Sequence, residues 1–151
     1  MKRINIFTII QVKEKGALYE LDSKFINSPE DANHAIRTVL RLQEKAVEQF
    51  WVITLTTKNE IAGLHPISVG SLNASLVHPR EVFKPAYLNN AASIMLTHNH
   101  PSGDPTPSRE DITITKRLCE AGELLGIQVL DHIIVGEERF ESLRAKGLIS
   151  R

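Results

Sequence analysis

Residues whose types suit metal binding lie close together in the stretch THNHPSGDPTPSRED, which covers positions 97–111. His98 and His100 are two residues apart, so on a strand both imidazoles would project from the same face. Asp111 follows after a loop rich in proline and glycine. Two imidazole nitrogens and one carboxylate, with a fourth position left for water, form the ligand set of a catalytic zinc site.

The same residues also allow interpretations that need no zinc. A His-x-His at the end of a strand can serve surface hydrogen bonding. Ser108 and Asp111 have the spacing of a capping box, in which the acidic side chain reaches back to the serine amide. Two histidines and a carboxylate are also the ligands of non-haem iron oxygenases. Spacing alone therefore leaves a metal site and a helix cap both open.

The elements on either side of this stretch are predicted to bring the three side chains together. The segment ASIMLTH is an apolar strand, and positions 108–126 form a predicted helix. Asp111 begins the inward stripe of this helix, and a carboxylate that faces a core needs a partner. The same stripe contains Ile114, Leu118, Ala121 and Leu125. The carboxyl end of a strand is also where ligands commonly bind in α/β sheets.

The remaining pattern predicts a mixed α/β domain. A helix should begin at Ser28 and Pro29, where a capping residue precedes a proline. A second helix should start at Pro79, with Pro85 causing a kink or an early end. Strands are predicted at 3–12, on both sides of a hairpin turn at Lys58-Asn59, at 127–136 and in the tail. The order is roughly βαββαβαβ, which predicts a single domain, 1–151, with helices packed on a sheet.

Composition narrows the functional classes. The chain has 151 residues, with 18 Lys and Arg balanced by 18 Asp and Glu. This balance does not favour autonomous nucleic-acid binding, which usually needs a basic surplus. No apolar run approaches the ~20 residues of a membrane span, and no secretory signal opens the chain, so we expect a cytoplasmic protein without a membrane partner. The single cysteine, Cys119, is expected to be a small buried hydrophobe.

The stretch HNHPSGDPTPSRED resembles the JAMM signature, in which His-x-His is followed after about ten residues by Asp, with Ser three positions earlier. This signature marks the JAB/MPN metalloprotease superfamily. The surrounding sequence, VHPREVFKPAYLNN through LDHIIVG, resembles the RadC family of that superfamily, most strongly over 48–151. RadC proteins usually carry an N-terminal helix-hairpin-helix region, so this chain is expected to be a short, stand-alone form.

The resemblance implies a JAB1/MPN, cytidine-deaminase-like architecture and one Zn²⁺ per chain. His98, His100 and Asp111 match the metal ligands, and Ser108 matches the residue that stabilises the oxyanion. A glutamate before an early strand would act as the general base, and Glu48 fits this position best. The other upstream acidic residues considered are Glu44, Glu60 and Glu81.

The function that this resemblance implies is a zinc-dependent peptidase or isopeptidase acting on a peptide or protein. The alternatives are a DNA-repair-associated protein that acts on or with DNA, and a non-catalytic interaction module. His78 and His132 are expected to be structural, hydrogen-bonding histidines that flank the site only in sequence. No residue indicates the physiological substrate or the oligomeric state.

Overall fold

The computed structural model describes residues 1–70 and 77–149, and its centre is a five-stranded mixed sheet with the order β2-β1-β3-β4-β5. Strands β1 and β3 pair antiparallel, and β3 and β4 pair parallel. The outer strands β2 and β5 pair antiparallel with their neighbours. The strands are β1 (Gln49–Leu55), β2 (Ile61–Val69), β3 (Ser93–Asn99), β4 (Gln128–Val135) and β5 (Phe140–Ser142). The helices are α1 (Pro29–Ala35), α2 (Pro79–Leu88) and α3 (Arg109–Leu125).

Helices cover both faces of this sheet, so the predicted α/β class and the mixed sheet flanked by helices are confirmed. Alternate residues of β1 and β3 point to opposite faces. Phe50 and Leu96 pack towards α2 and α3, while Ile53 and Met95 pack in a second cluster with α1. α1 continues into a π-helical turn, Ile36–Leu40, and a short 3₁₀ helix, Leu42–Glu44.

The predicted strand at residues 3–12 is wrong. Residues 1–20 contain no helix or strand, and the large apolar side chains between Ile4 and Val12 are 74–95 % exposed. A strand needs a neighbour for its backbone and a cover for its apolar face. The first sheet-like contact is the bridge between Phe25 and Glu60, so within the described ranges the order of elements begins with a helix.

Helix α2 does not end at Pro85, so the predicted early end is wrong. It runs on to Leu88. Proline removes its own amide from the helix ladder and crowds the carbonyl four residues earlier, a local cost that packing can offset. The buried Phe83 and Ala86 hold the two sides of the proline against the core, and the Tyr87 hydroxyl donates to the Leu125 carbonyl at 2.9 Å.

The inward stripe of α3 is as predicted except in its last turn. Ile114 and Leu118 are buried, whereas Leu125 is 40 % exposed. Gly126 ends the helix with φ 76°, a left-handed conformation that glycine adopts without a Cβ penalty. The turn brings Ile127 into the core in place of Leu125. None of the helices in the two described ranges combines the length and apolarity needed to cross a bilayer.

Candidate metal centre

The end of β3 and the start of α3 meet at one edge of the sheet. His98 lies on β3, opposite Phe50 of β1 and Ile134 of β4, and its side chain is fully buried. His100 directly follows the strand and is 15 % exposed, and Asp111 lies in the first turn of α3 at 3 % exposure. The structure therefore brings together the three side chains that the sequence predicted as metal ligands.

The facing atoms of these three side chains are evenly spaced. The Nε2 atoms of His98 and His100 are 3.0 Å apart. Asp111 Oδ1 is 3.2 Å from His98 Nε2, and Asp111 Oδ2 is 3.0 Å from His100 Nε2. Ligands in tetrahedral zinc sites, with bonds of about 2.0–2.1 Å, are separated by about 3.3 Å. The three side chains therefore have nearly the spacing of three corners of such a site.

The chemistry of this donor set also fits a metal cation. His100 Nδ1 lies 2.8 Å from the Asp104 carbonyl, which can only accept, so Nδ1 carries the hydrogen. A neutral His100 then presents its Nε2 lone pair to the carboxylate of Asp111. Lone pairs that converge at about 3 Å repel one another unless a proton or a cation lies between them. Two imidazoles and a carboxylate are ligands that suit zinc.

The pKa shifts of the cluster also indicate that a positive charge is favoured there. Burial raises the pKa of Asp111, but the close contacts of its carboxylate with His100 and His98 outweigh burial and hold that pKa well below its usual range. The hydrogen bond with Asp111 raises the pKa of His100 against the opposing effect of burial. A metal ion that binds here must displace the proton that Asp111 stabilises on His100.

The helix cap and the cluster use the same aspartate. The Ser108 amide donates to Asp111 Oδ2 at 2.8 Å, and the Asp111 amide donates to Ser108 Oγ at 3.1 Å. This is the capping box that the sequence allowed as an interpretation without a metal. Because the Asp111 carboxylate also faces both histidines, the cap and the cluster are compatible.

The loop between His100 and α3 is fixed at its start by close backbone packing. The His100 amide donates to the Val135 carbonyl at 2.9 Å, and the loop then turns through Gly103 with φ 91°. A Cβ on Gly136 would lie 2.4 Å from the Gly103 carbonyl and 2.7 Å from Pro105. Only a glycine at position 136 allows this approach, which places His100 against the end of β4.

Glu48 lies immediately before β1, at the same edge of the sheet. One carboxylate oxygen of Glu48 and one nitrogen each of His98 and His100 all lie within 4.8 Å of one another, so this group too could hold a metal ion. We assign Asp111 as the closer partner of the histidines, because its oxygens lie at 3.0–3.2 Å from their nitrogens and it is almost fully buried. Glu48 is then a second carboxylate beside the cluster.

Asn99, which sequence reasoning did not single out, holds the segment that carries Glu48. The Gln49 amide donates to Asn99 Oδ1 at 2.7 Å. Asn99 Nδ2 donates to the carbonyls of Val47 at 3.1 Å and Lys45 at 3.4 Å. The alternation of β3 was the available signal, because it turns this side chain away from the face of His98 and towards the chain entering β1.

The other acidic residues considered as bases have ion pairs elsewhere. Glu60 pairs with Lys24 at 2.6 Å, and Glu81 pairs with Lys84 at 3.4 Å. Glu44 pairs with an arginine on its own helical turn, but it also lines a polar cavity of about 260 Å³ that reaches His100. Of the four acidic residues, Glu48 has its carboxylate in a group with both histidines.

His132 contacts the cluster, so the prediction that it flanks the site only in sequence is wrong. His132 Nε2 is 2.7 Å from His98 Nδ1, and both rings pack on Phe50. Burial holds the pKa of His132 well below its usual range. The parallel pairing of β3 with β4, which joins segments distant in sequence, creates this contact and could not be read from spacing.

Two further residues were singled out from the sequence, His78 and Cys119, and the structural role expected of His78 stays a prediction. His78 is at the N-cap of α2 but makes no capping bond with its side chain. Cys119 is half-buried against the core, and burial raises the pKa of its thiol to about 11. A thiol with such a pKa is a poor nucleophile, in agreement with the prediction for Cys119.

A mixed sheet with a buried His-His-Asp cluster at one edge is the architecture expected of a JAB/MPN domain. A family model described as the RadC-like JAB domain matches residues 26–148, and the chain belongs to this family. The resemblance found in the sequence is thereby confirmed.

Several relatives carry the name UPF0758 protein. One from Desulfitobacterium hafniense is 53 % identical over 124 residues, which is 82 % of this chain and 54 % of the relative. One from Caldanaerobacter subterraneus is 56 % identical over 122 residues, 81 % of this chain and 52 % of the relative. One from Desulforamulus reducens is 47 % identical over 150 residues, 99 % of this chain and 65 % of the relative. The chain thus spans between about half and two thirds of these relatives.

Proposed function

We propose that this protein is a zinc-dependent peptidase or isopeptidase that hydrolyses an amide bond with an activated water. The observation that carries the proposal is the convergence of His98, His100 and Asp111 at 3.0–3.2 Å, with Glu48 in reach of both histidines. Membership of the RadC-like JAB domain family supports it. A complete donor set argues against a purely structural module, which has no need of one.

Each of the proposed site residues has a separate role in the reaction. When bound, zinc supplies a lowered pKa for its water, toward about 7, and a Lewis acid for the scissile carbonyl. His98, His100 and Asp111 hold the metal. Glu48 accepts the proton of the attacking water and returns it to the leaving amine. The three hydrogen bonds of Asn99 keep the Glu48 segment in place for both transfers.

Ser108 is assigned to the oxyanion that develops on the substrate carbonyl. Its Oγ already accepts a hydrogen bond from the Asp111 amide. This contact uses a lone pair and leaves the hydroxyl hydrogen able to donate. Capping and oxyanion stabilisation therefore do not compete for the same atom of Ser108.

The substrate is proposed to approach through the polar cavity beside His100. Glu44 and Lys45 line it on one side, and Pro101, Gly103 and Glu137 line it on the other. The mixture of charges suits the polar backbone of a peptide better than an apolar ligand. A peptide or an isopeptide-linked conjugate is the class of substrate we propose.

The test combines metal analysis with a cleavage screen of the zinc-loaded protein against peptide and lysine-isopeptide libraries. Cleavage should be abolished by a chelator and restored by zinc. The matched control is Glu48→Gln, which should retain its zinc and lose most of the activity. A protein that binds zinc but cleaves no member of either library, or a Glu48→Gln variant with full activity, contradicts the proposed chemistry.

A further inference from the structure

A continuous line of hydrogen bonds runs behind His98, away from the cluster. His98 Nδ1 is 2.7 Å from His132 Nε2, and His132 Nδ1 is 2.6 Å from Thr115 Oγ1. The Thr115 hydroxyl lies 2.6 Å from the backbone carbonyl of Asp111. His98, His132 and Thr115 are each fully buried, so water does not reach this line.

The last bond of the line sets the direction of the others. The Asp111 carbonyl can only accept, so the single hydroxyl hydrogen of Thr115 points to it. Thr115 Oγ1 must then accept from His132, which places the ring hydrogen of His132 on Nδ1. If the hydroxyl hydrogen of Thr115 pointed to His132 instead, the Thr115 oxygen and the Asp111 carbonyl oxygen would face each other at 2.6 Å with no hydrogen between them.

The tautomer of His132 determines that of His98. Full burial favours the neutral form of His132, whose Nε2 then carries a lone pair. His98 Nδ1 must donate to it, so the lone pair of His98 lies on Nε2. That atom faces His100 at 3.0 Å and Asp111 at 3.2 Å.

We propose that Thr115 and His132 are positioning residues that hold His98 in the tautomer with hydrogen on Nδ1, so that its Nε2 can bind the metal. The proposal rests on the proposed metal site but not on any hydrolytic activity. For His100, the Asp104 carbonyl performs the equivalent task. Metal-binding histidines commonly donate their second nitrogen in this way.

The line also connects two of the proposed ligands through one helix start. Thr115 stands one turn after Asp111 on α3, and its hydroxyl bonds to the carbonyl of that aspartate. The carboxylate of Asp111 faces the proposed metal position. Its backbone carbonyl accepts the last hydrogen bond of the line that orients His98. A displacement of α3 would therefore disturb both ligands.

Substitutions at Thr115 test the line without touching a ligand. Thr115→Val keeps the size of the side chain but removes the acceptor for His132, which is then free to take the other tautomer. Zinc affinity should fall about 10- to 100-fold, the usual effect of losing such a partner. Thr115→Ser keeps the hydroxyl and should retain the affinity of the parent. Thr113→Val is the matched control, because Thr113 makes the same backbone contact on the exposed side of α3, with the Arg109 carbonyl at 3.0 Å.

The tautomer can be observed directly in the zinc-free protein labelled with ¹⁵N-histidine. Long-range ¹H–¹⁵N correlation spectra, recorded where the rings are neutral, should show hydrogen on Nδ1 of His98 in the parent and in Thr115→Ser. In Thr115→Val this hydrogen should move to Nε2. A parent protein with hydrogen on Nε2 of His98 overturns the proposal even if no variant folds.

The two measurements also separate this proposal from the proposed function. A parent protein that binds no zinc refutes the metal site itself. A parent that binds zinc, together with a Thr115→Val variant whose zinc affinity stays within twofold, refutes only the role of Thr115 and His132. A tenfold loss of zinc affinity in Thr113→Val as well would show that the effect comes from a general destabilisation of α3. That result would also overturn the proposal.

Discussion

Replacing Asn99 by alanine tests how the segment that carries Glu48 is held. Asn99 is almost fully buried and makes three hydrogen bonds, with the Gln49 amide and the carbonyls of Val47 and Lys45. At about 1 kcal/mol each, their loss should lower the free energy of unfolding by about 3 kcal/mol. Urea denaturation of the zinc-free protein measures this loss, and hydrogen exchange at the Gln49 amide should become faster. Zinc binding should persist, because none of the three bonds involves a proposed ligand, while hydrolysis should fall.

Thr54→Val is the matched control for this experiment. Thr54 lies at the opposite end of β1, fully buried, and its hydroxyl contacts the Gly63 carbonyl at 3.2 Å and Asn89 Oδ1 at 2.5 Å. Its replacement should also lower stability but leave hydrolysis by the folded fraction unchanged. A decrease of less than about 1 kcal/mol in the free energy of unfolding of Asn99→Ala would refute the assigned role of Asn99. An unchanged hydrogen-exchange rate at the Gln49 amide would refute it as well.

Three further predictions concern pH, the helix cap and DNA. The raised pKa of His100 adds stability that is full below about pH 6.5 and is lost as the pH rises from there through the raised pKa. The lowered pKa of His132 removes stability as the pH falls from about 6.5 towards the lowered pKa. The lowered pKa of Asp111 adds stability above about pH 3.9 that is lost below it. Thermal unfolding of the zinc-free protein should therefore show greatest stability near pH 6.5, and a monotonic profile from pH 5 to 8 would be inconsistent with these shifts. Ser108→Ala should cost roughly 1 kcal/mol as a lost cap and lower kcat by about 10²–10³, with zinc content unchanged; full kcat would leave Ser108 as a cap alone. Because positive and negative residues balance at 18 each, a fluorescence titration at about 150 mM salt should find no sub-micromolar, sequence-independent binding to duplex DNA.

The parts of the site that could be predicted are those set by periodicity within one element. The two-residue alternation of β3 places His98 on the same face as Ile94 and Leu96, the face that α3 covers. The helical stripe of α3 places Asp111 inward, because it continues a run of buried residues. The assignment of these residues as metal ligands, of Glu48 as base and of Ser108 as oxyanion donor stays a prediction. The contacts of His132 and Asn99 depend on which strands and segments become neighbours, and periodicity within one segment carries no information on that.

The errors in the fold have a similar origin. Residues 3–12 have the composition of a strand, but composition does not supply the neighbouring strand that would satisfy the backbone. Pro85 carries a local signal for a helix end that the burial of Phe83 and Ala86 outweighs. In both cases tertiary contacts, present or missing, override a local preference.

The central claim is that one zinc ion is held by His98, His100 and Asp111. The most direct test is a crystal structure of the zinc-loaded protein, with anomalous diffraction measured on both sides of the zinc absorption edge. We expect one anomalous peak per chain, about 2.0–2.2 Å from both Nε2 atoms and from an Asp111 oxygen, with Glu48 outside bonding distance. The absence of a peak, or a zinc ion bound by Glu48 in place of Asp111, would contradict it.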